Sequence, residues 1–391
     1  MGNVDSPPIL VLGGSENALA IVRSFRKKNI PVSVSSGAGC PAFRSRWCRR
    51  QDLLLPGQPA KAHWEKLLLG PDDAGFRGSV LFPCSDEGVA FLADHRQDLE
   101  RMYILDDFDP DIHRSMLDKQ KTLELARSAG CPAPGFWKVN TLEDLEPVRS
   151  SAAFPAIIKP IHSHLFQHVL GYKLFVVNSD QELMDKATLA LKHGLRIMVC
   201  ELIPGLDSDV TSSYYTYIDR SGKGLFRFTK RVIRRYPSFG GLASLHTTQW
   251  LPETAEMGER FFRGIGFQGL GNVEFKRDPR DGLLKIIECN PRFTAAHELL
   301  VRCGMDTAYI IYCSLTNRPL PRVDSYVENL CLWYPGRDLK ALIHMRQDGE
   351  ITVTQWLRSL ARRQVFPLFR VSDPWPSIRR ALSEIREWSQ S

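Results

Sequence analysis

Two apolar segments joined by a short turn constrain this chain more than any other feature of its sequence. Residues 271–277 and 284–289 have the composition of buried strands, and the Asp281-Gly282 pair between them is typical of a tight turn. The sequence therefore predicts an antiparallel hairpin, which sets the two strands side by side. Glu274 and Glu288, one on each strand, are then expected to lie close together.

The polar groups of this hairpin are hard oxygen ligands. The carboxylates of Glu274 and Glu288 and the amide oxygen of Asn290 suit Mg²⁺, or Mn²⁺ as an alternative, together with phosphate oxygens. Taken alone, each residue has a better plain explanation: the two carboxylates as strand ends in solvent, and Asn290 as the cap of a turn. Because the three occur together and Arg292 follows two residues later, we expect a metal site.

A lysine at the end of a strand predicts phosphate binding upstream of the hairpin. Lys159 ends the apolar segment 154–158 and is followed by Pro160, so its ammonium is presented as a point charge. A lysine at a solvated strand end is the plain alternative. Lys173 supplies a second cation, and the segment 198–205 follows at a spacing that would enclose a nucleotide.

The segment 198–205 and the residues after it carry polar groups for the rest of a nucleotide. We expect Glu201 and the backbone of Leu202 to bond the edge of an adenine base, and Asp207 to bond a ribose. The loop 161–168 contains three histidines, which are common zinc ligands, but no fourth ligand follows in sequence. We therefore expect this loop to be a lid over the phosphates rather than a zinc site.

The first 110 residues alternate strand and helix patterns. Strand patterns at 8–12 and 30–35 flank a helical pattern at 16–28, and a second strand-helix-strand unit follows at 79–82, 86–95 and 102–105. This alternation predicts an open parallel sheet with helices on its faces. Gly13-Gly14 follows the first strand, but the G-x-G-x-x-G pattern is absent. We therefore expect a substrate-binding turn or a plain turn there, not an NAD site.

The rest of the chain predicts a helix over 113–130, then a mixed region whose paired strands form an antiparallel sheet, then a last helix over 375–388. The last helix is basic and amphipathic, and we expect it to pack on the body rather than on a membrane. The predicted division is an N-terminal α/β substrate-side domain (1–112), a linker helix with a lid subdomain (113–205), a metal-binding subdomain (206–320) and a C-terminal α/β extension packed on the body (321–391).

Composition narrows the function classes. The chain has 391 residues and a net charge of +7, which suits an anionic ligand. Nucleic acid binding through the basic residues of segment 230–235, with aromatic residues beside them, is the weaker explanation because a nucleotide site nearby explains the same charges.

Nine cysteines without a C-x-x-C motif indicate free thiols in a reducing compartment, and no apolar run reaches the ~20 residues of a membrane span. We expect a cytoplasmic protein. The start Met1-Gly2 fits the loose pattern of N-myristoylation, which leaves lipidation open.

The motifs together resemble those of the ATP-grasp carboxylate-amine ligases. The resemblance covers about residues 5–320, its most specific part is the last motif, and the most similar branch is that of the predicted ATP-dependent carboligases related to D-aspartate ligase. The matching segments, in order, are LDKQKT (117–122) with AGCPAP (129–134), FPAIIKP (154–160), CELIPGLD (200–207), and Glu274 with ECNPR (288–292).

The resemblance implies an ATP-grasp fold of the α/β class, with an N-terminal open parallel sheet, a small lid subdomain and a larger antiparallel α+β subdomain for nucleotide and metal. It also implies a role for each motif residue: Lys119 and Lys159 on the α and β phosphates, Glu201 and Leu202 at adenine, Asp207 near the ribose, Glu274, Glu288 and Asn290 on Mg²⁺, Arg292 on the transferred phosphoryl group, and Lys230 or Arg234 on the substrate carboxylate or the acyl phosphate.

The activity implied is ATP-dependent ligation, in which a carboxylate is activated as an acyl phosphate and coupled to an amine, with release of ADP and phosphate. An ATP-grasp carboxylase that uses bicarbonate and a catalytically inactive ATP-binding regulatory protein are the alternatives. We expect small-molecule carboxylate and amine substrates, no nucleic acid partner and no membrane span, and a homodimer stays open. Many relatives have a glycine-rich loop over the phosphates where this chain has the histidine-containing loop 161–168.

Overall fold

The computed structural model describes residues 6–71, 75–161, 169–172 and 174–390. Three expectations from the sequence lie outside these ranges: the phosphate contact of Lys173, the lid role of the loop 162–168 with its three histidines, and the lipidation of the N-terminal glycine.

The N-terminal region forms the predicted open parallel sheet. Its strands are β1 (Ile9–Leu12), β2 (Val32–Gly37), β3 (Cys48–Leu54) and β4 (Val80–Pro83), in the order β3-β2-β1-β4. The helices are α1 (Glu16–Ser24), α2 (Ala60–Leu69), α3 (Asp86–Asp94) and α4 (Arg96–Leu99), with a 3₁₀ helix at Pro41–Arg44. β1 is buried along its whole length, as expected for a strand that is covered on both faces.

One predicted strand of this region is wrong. Residues 102–105 form no strand, and Ile104 makes a single isolated parallel bridge to Val80. The fourth strand is instead β3, at the sheet edge beside β2. The central residues of β3 are polar and exposed, which is usual for an edge strand and removes the apolar pattern by which a strand is recognised in sequence.

The predicted helix over 113–130 is two helices, α5 (Pro110–Leu117) and α6 (Lys119–Ser128). Asp118 between them has extended backbone angles, and its side chain accepts hydrogen bonds from the backbone N–H groups of Gln120 and Lys121. An aspartate in this position caps the start of a new helix, so the chain turns there. The break places Lys119 on the first turn of α6.

A four-stranded antiparallel sheet follows, which we call the small sheet. Its strands are β5 (Phe136–Val139), β6 (Ala156–Pro160), β7 (Phe175–Val177) and β8 (Ile197–Glu201), in the order β5-β8-β6-β7. A 3₁₀ helix at Glu143–Leu145 and the helices α7 (Glu146–Ser151) and α8 (Asp180–Lys192) accompany it. Ala156 and Ile158 pack into the apolar cluster with residues of these helices. Because neighbouring strand residues point to opposite faces, Ile157 and Lys159 point the other way.

The large sheet has seven strands in the order β13-β12-β9-β10-β11-β14-β15. The elements from this point are α9 (Asp207–Val210), β9 (Thr211–Ile218), β10 (Gly224–Tyr236), β11 (Leu242–Thr248), α10 (Pro252–Gly264), β12 (Gly269–Arg277), β13 (Leu284–Asn290), α11 (His297–Arg302), α12 (Thr307–Leu315), β14 (Cys331–Trp333), α13 (Pro335–Gln347), α14 (Val353–Ser359), β15 (Gln364–Val365) and α15 (Trp375–Gln390). The predicted hairpin is confirmed: β12 and β13 pair antiparallel, with Glu274 directly opposite Glu288.

The two faces of the large sheet pack against different parts of the chain. Tyr214, Val273 and Phe275 belong to an apolar cluster with α10. Tyr217 and Phe228, on the other face, belong to the cluster that contains β1 and α1 of the N-terminal sheet. No helix in the described part of the chain has the length and the apolar composition that crossing a bilayer requires.

A buried ion pair joins the C-terminal region to α1. The guanidinium of Arg23 donates to Asp373 over 3.0 Å, and neither side chain is exposed to solvent. The Ser45 hydroxyl donates to the same carboxylate over 2.8 Å. Because an unpaired charge is costly in the interior, these contacts fix the C-terminal segment on the N-terminal sheet.

Asp106 lies at the seam between the N-terminal sheet and the large sheet. It is 8% exposed, and its Oδ2 accepts a hydrogen bond from the backbone N–H of Leu270 on β12 over 3.3 Å. Burial raises the pKa of this carboxyl group to about 6. A group whose pKa is raised on folding stabilises the folded state at low pH, and this contribution is lost as the pH rises through the folded pKa.

We therefore expect Asp106→Asn to stabilise the protein at neutral pH. Relative to the wild type, its free energy of unfolding should be nearly unchanged at pH 4 and should increase by up to about 3 kcal/mol at pH 7, which corresponds to a shift of about two pKa units. Urea unfolding across this pH range measures the difference. Asp111→Asn is the control, because that carboxylate is 93% exposed. A difference for Asp106→Asn that does not change with pH would contradict the assignment.

Candidate nucleotide and metal site

A cavity of about 300 Å³ lies between the small sheet and the large sheet. Its volume is at the lower end of the range found for small-molecule sites. The residues that line it are Lys119, Pro134, Ile157, Lys159, Pro160, Leu174, Cys200, Glu201, Leu202, Ile203, Arg235, Ser238, Phe239, Gly240, Gly241, Leu242, Lys276, Ile287 and Glu288. We call it the nucleotide cavity. Apolar side chains from both sheets form its walls, and charged groups are grouped among them.

Among the described residues, four cations and two carboxylates line this cavity. Lys119 and Lys159 were predicted, whereas Arg235 and Lys276 were not. Burial lowers the pKa of Lys276. Burial also opposes the charge of Arg235, but Asp207 and Glu274 outweigh it and raise its pKa above the ordinary value. The excess of positive charge in a partly desolvated cleft suits a polyanionic ligand such as a triphosphate.

Asp207 does not line the cavity, contrary to the expected ribose contact. Its Oδ2 accepts from the Nε of Arg235 over 2.6 Å, and its Oδ1 is 3.8 Å from the ammonium of Lys276. The side chain is 9% exposed. Asp207 therefore lies behind two of the cations, and we correct its role to orienting them.

Glu201 and Leu202 line the cavity at the end of β8, and their contact with adenine stays a prediction. Two contacts fix the Glu201 carboxylate: it accepts a hydrogen bond from the Gly135 backbone N–H over 2.7 Å, and it lies 3.5 Å from the Arg280 guanidinium. Ile157 and Ile287 lie on the walls contributed by the two sheets. Two apolar walls with polar groups at the edge of the space suit a flat aromatic base.

Glu274 and Glu288 form a pair of like charges across β12 and β13. They are partly buried and in direct register, and Glu288 lines the nucleotide cavity. Within the described residues, neither carboxylate forms an ion pair, and no group of three or more His, Cys, Asp or Glu side chains is placed to hold a metal. Two carboxylates directly opposite one another repel, and a divalent cation between them would remove that repulsion.

The amide of Asn290 is oriented to complete such a ligand set. Its Nδ2 donates to the Oδ1 of Asn272 over 3.4 Å, and Asn272 in turn donates to the backbone oxygen of Tyr214 over 3.2 Å. The donors of both amides are therefore directed into the sheet, and the Oδ1 of Asn290 is left as an acceptor. Two carboxylates and one amide oxygen are the donors that Mg²⁺ prefers, so the residues fit the ion.

Lys230 lies on the same face of the sheet as Glu274. Ser213 on β9 is in register with both residues, and the Lys230 ammonium donates to its hydroxyl over 3.0 Å. The lysine is 1% exposed and does not line the nucleotide cavity. Burial lowers the pKa of Lys230 to about 8, although Glu274 opposes the shift. The structure thus places Lys230 on the same face of the sheet as Glu274, with β9 between their strands.

Arg234 corrects a second expectation, because it is not placed to contact a substrate. Its Nε and Nη2 each donate to the Asp338 carboxylate over 2.9 Å, and its Nη1 donates to the Ser359 hydroxyl. The two charged side chains are 2% and 0% exposed. Burial alone would raise the pKa of Asp338, but Arg234 outweighs it and lowers that pKa. Arg234 therefore holds α13 and α14 on the large sheet.

Arg292 connects the end of β13 to the N-terminal sheet. Its Nε donates to the Oδ1 of Asp86, the first residue of α3, over 2.5 Å. Asn17 makes a similar connection, since its Nδ2 donates to the backbone oxygens of Cys84 and Phe293 over 2.8 and 2.9 Å. These contacts place the turn between β4 and α3 next to the strand that carries Glu288.

Two register shifts in β10 explain why Arg235, and not Arg234, lines the cavity. They lie between Val232 and Arg234 and between Arg234 and Arg235, so simple alternation along this strand cannot assign faces. Lys276 has a clearer signal in the sequence. It lies two residues after Glu274 on the same strand, and a spacing of two places both side chains on one face.

We expect Arg234→Met to destabilise the protein by about 3 to 5 kcal/mol, because it leaves the buried Asp338 without its ion pair. Arg231→Met on the same strand is the matched control, since this guanidinium is half-buried and bonds Gln249 and backbone oxygens. It should cost less than about 1 kcal/mol. Urea unfolding measures both values. A stable Arg234→Met variant that has lost substrate binding would restore the role expected from the sequence.

This chain has weak sequence similarity and clear structural similarity to known proteins. No protein-family model matches the chain. It is 23% identical over 258 residues to the C-terminal section of the carbamoyl phosphate synthase large chain of Methanopyrus kandleri, covering 63% of this chain and 43% of that protein. It is 22% identical over 340 residues to D-aspartate ligase of Enterococcus faecium, covering 79% and 76%. The chain thus spans less than half the length of the first of these relatives.

Among solved structures, that of N5-carboxyaminoimidazole synthetase from Staphylococcus aureus, complexed with ADP, is similar to this chain. The TM-score is 0.62 at 16% identity, over 88% of this chain and 86% of that one. These similarities confirm the fold class that the motifs predict, and they support the superfamily. The domain boundaries stay predictions, as do the roles of the site residues other than Asp207 and Arg234.

Proposed function

We propose that this chain is an ATP-grasp enzyme that binds ATP with Mg²⁺ in the nucleotide cavity and joins a carboxylate to an amine. The products would be an amide, ADP and phosphate. The observation that carries the proposal is the grouping of Lys119, Lys159, Arg235 and Lys276 in one cavity that also contains a carboxylate of the Glu274–Glu288 pair. The relatives named above support the ligase class.

The chemistry explains why cations matter more than a nucleophile here. A carboxylate is a poor electrophile, since its charge repels an amine and its oxide is a poor leaving group. Transfer of the γ-phosphoryl group of ATP to the carboxylate gives an acyl phosphate, from which the amine displaces phosphate. Both steps concentrate negative charge, which fixed cations stabilise. Mg²⁺ held by Glu274, Glu288 and Asn290 would supply further positive charge against the phosphates.

The thiol that lines the cavity is not suited to covalent catalysis. Cys200 is fully buried, and burial raises its pKa, so it stays a neutral thiol at neutral pH. The chain's own contributions are therefore binding and orientation. We assign phosphate binding to Lys119, Lys159 and Lys276, and metal binding to Glu274, Glu288 and Asn290. We assign contact with the phosphoryl group in transfer to Arg292. Lys230 lies on the same face of the sheet as Glu274.

Isotope transfer tests the proposed reaction. With ¹⁸O in the substrate carboxylate, we expect one labelled oxygen in the released phosphate, because the bridging oxygen of an acyl phosphate comes from the acid. The nucleotide product should be ADP, and mass spectrometry of both products measures the outcome. Recovery of AMP with pyrophosphate, or of unlabelled phosphate while amide forms, would contradict the mechanism. Carboxylation of an amine by bicarbonate would appear in the same product analysis, and ATP binding without turnover would indicate a regulatory protein.

Nucleotide affinity tests the cavity itself. We expect Lys159→Met to weaken binding of a non-hydrolysable ATP analogue about tenfold or more, because a charge-assisted bond to phosphate contributes roughly 1.5 to 3 kcal/mol. Lys138→Met is the matched control: Lys138 is in register with Met198 on one side of β8, as Lys159 is on the other, but it is exposed and outside the cavity. Titration calorimetry measures both. Equal affinities for the two variants would place Lys159 in solvent.

A further inference from the structure

A second cavity, of about 790 Å³, lies beyond the C-terminal ends of α1 and α11. It shares no lining residue with the nucleotide cavity. Three separate parts of the chain form it: the end of α1 with the residues after it, the end of α11 with the turn after it, and the segment 364–372. The lining residues are Ser24, Arg26, Lys28, Val301, Arg302, Asp306, Gln364, Val365, Phe366, Phe369, Arg370, Val371 and Ser372.

Positive charge exceeds negative charge around this cavity. Lys28 is neutralised by Asp306 over 2.8 Å, and Arg370 by Glu298 over 2.7 Å. Arg26 and Arg302 line the same cavity and form no ion pair within the described residues. The pKa of Arg26 is lowered by burial and also by the charges of Arg370 and Arg302. Glu298 and Asp306 act on it in the opposite direction. Arg26 is therefore close enough to Arg302 and to Arg370 to be repelled by both.

Arg370 has donors that the protein does not use. The residue is 7% exposed, and its Nη2 donates to Glu298, but its Nε and Nη1 have no hydrogen-bond partner among the residues that the structure describes. The same is true of the Oε1 of Gln364 in this cavity. Buried polar groups are nearly always hydrogen-bonded in native proteins, and an unmade bond to a charged group is costly.

The ends of the two helices explain only part of this arrangement. Cations near a helix C-terminus are stabilised by the helix dipole, which accounts for one arginine at the end of α1 and one at the end of α11. Arg370 follows β15 and ends no helix, so the dipole does not explain its position. The helix dipole also leaves unexplained the two unpartnered nitrogens of Arg370 and the repulsion of Arg26 by the other two arginines.

We propose that this cavity is a binding site for a small oxyanion, a phosphate or carboxylate group carried by a small molecule, with Arg26, Arg302 and Arg370 as its ligands. One oxyanion accepts several charge-assisted hydrogen bonds at once and offsets the repulsion of Arg26 by the other two guanidinium groups. The site is separate from the proposed ligase reaction, and its test does not depend on that reaction.

Titration calorimetry with inorganic phosphate tests the site in the full chain. The nucleotide cavity is first saturated with Mg²⁺ and a non-hydrolysable ATP analogue, so that phosphate does not bind there. We expect the wild type to bind phosphate, and the double variant Arg26→Gln, Arg302→Gln to bind it at least tenfold more weakly. Arg101→Gln, at an exposed arginine elsewhere, should bind like the wild type. A parallel titration with citrate distinguishes a carboxylate ligand from a phosphate ligand.

Thermal unfolding without phosphate separates a ligand site from a structural one. If the arginines form an anion site, Arg302→Gln should leave the melting temperature unchanged or raise it, because the substitution relieves the repulsion between this residue and Arg26. Phosphate should then raise the melting temperature of the wild type but not that of the double variant. A lower melting temperature for Arg302→Gln without phosphate, or a wild type that binds neither phosphate nor citrate, would overturn the proposal.

Discussion

The register between β9, β12 and β13 is the constraint on which the site depends. Ser213, Glu274 and Glu288 occupy consecutive positions across these three strands. A slip of one residue in either pairing would turn the carboxylates toward α10 and bring Val273 and Phe275 out of their apolar cluster. The packing on one face of the large sheet therefore fixes the polar site on the other.

Local pattern was enough to predict the parts of the fold in which neighbours in sequence determine structure. The β12–β13 hairpin and the strand-helix alternation of the first region are of this kind, since turn residues and apolar spacing specify them. The errors occurred where a local signal was absent or overridden. Asp118 ends one helix by capping the next, and the edge strand β3 has no apolar period.

The candidate site was predictable where side-chain chemistry and strand position coincide, as for Lys159, Glu274 and Glu288. It was not predictable where a partner lies far away in sequence. Arg234 and Arg235 are adjacent and chemically equal, yet one pairs with Asp338 and the other lines the cavity. Asp207 was expected at a ligand and instead pairs with Arg235. Sequence shows the charges but not which of them neutralise each other.

The pairing of Arg23 with Asp373 has a consequence for how the protein is made. The two residues are 350 positions apart, so α1 leaves the ribosome long before Asp373 does. During synthesis the Arg23 guanidinium therefore lacks this carboxylate partner while the residues between them are made. The N-terminal sheet can collapse early, but the Arg23 guanidinium must stay hydrated until Asp373 is available. Completion of its packing is thus a late event in biogenesis, coupled to the arrival of the C-terminal segment rather than to the folding of the sheet alone.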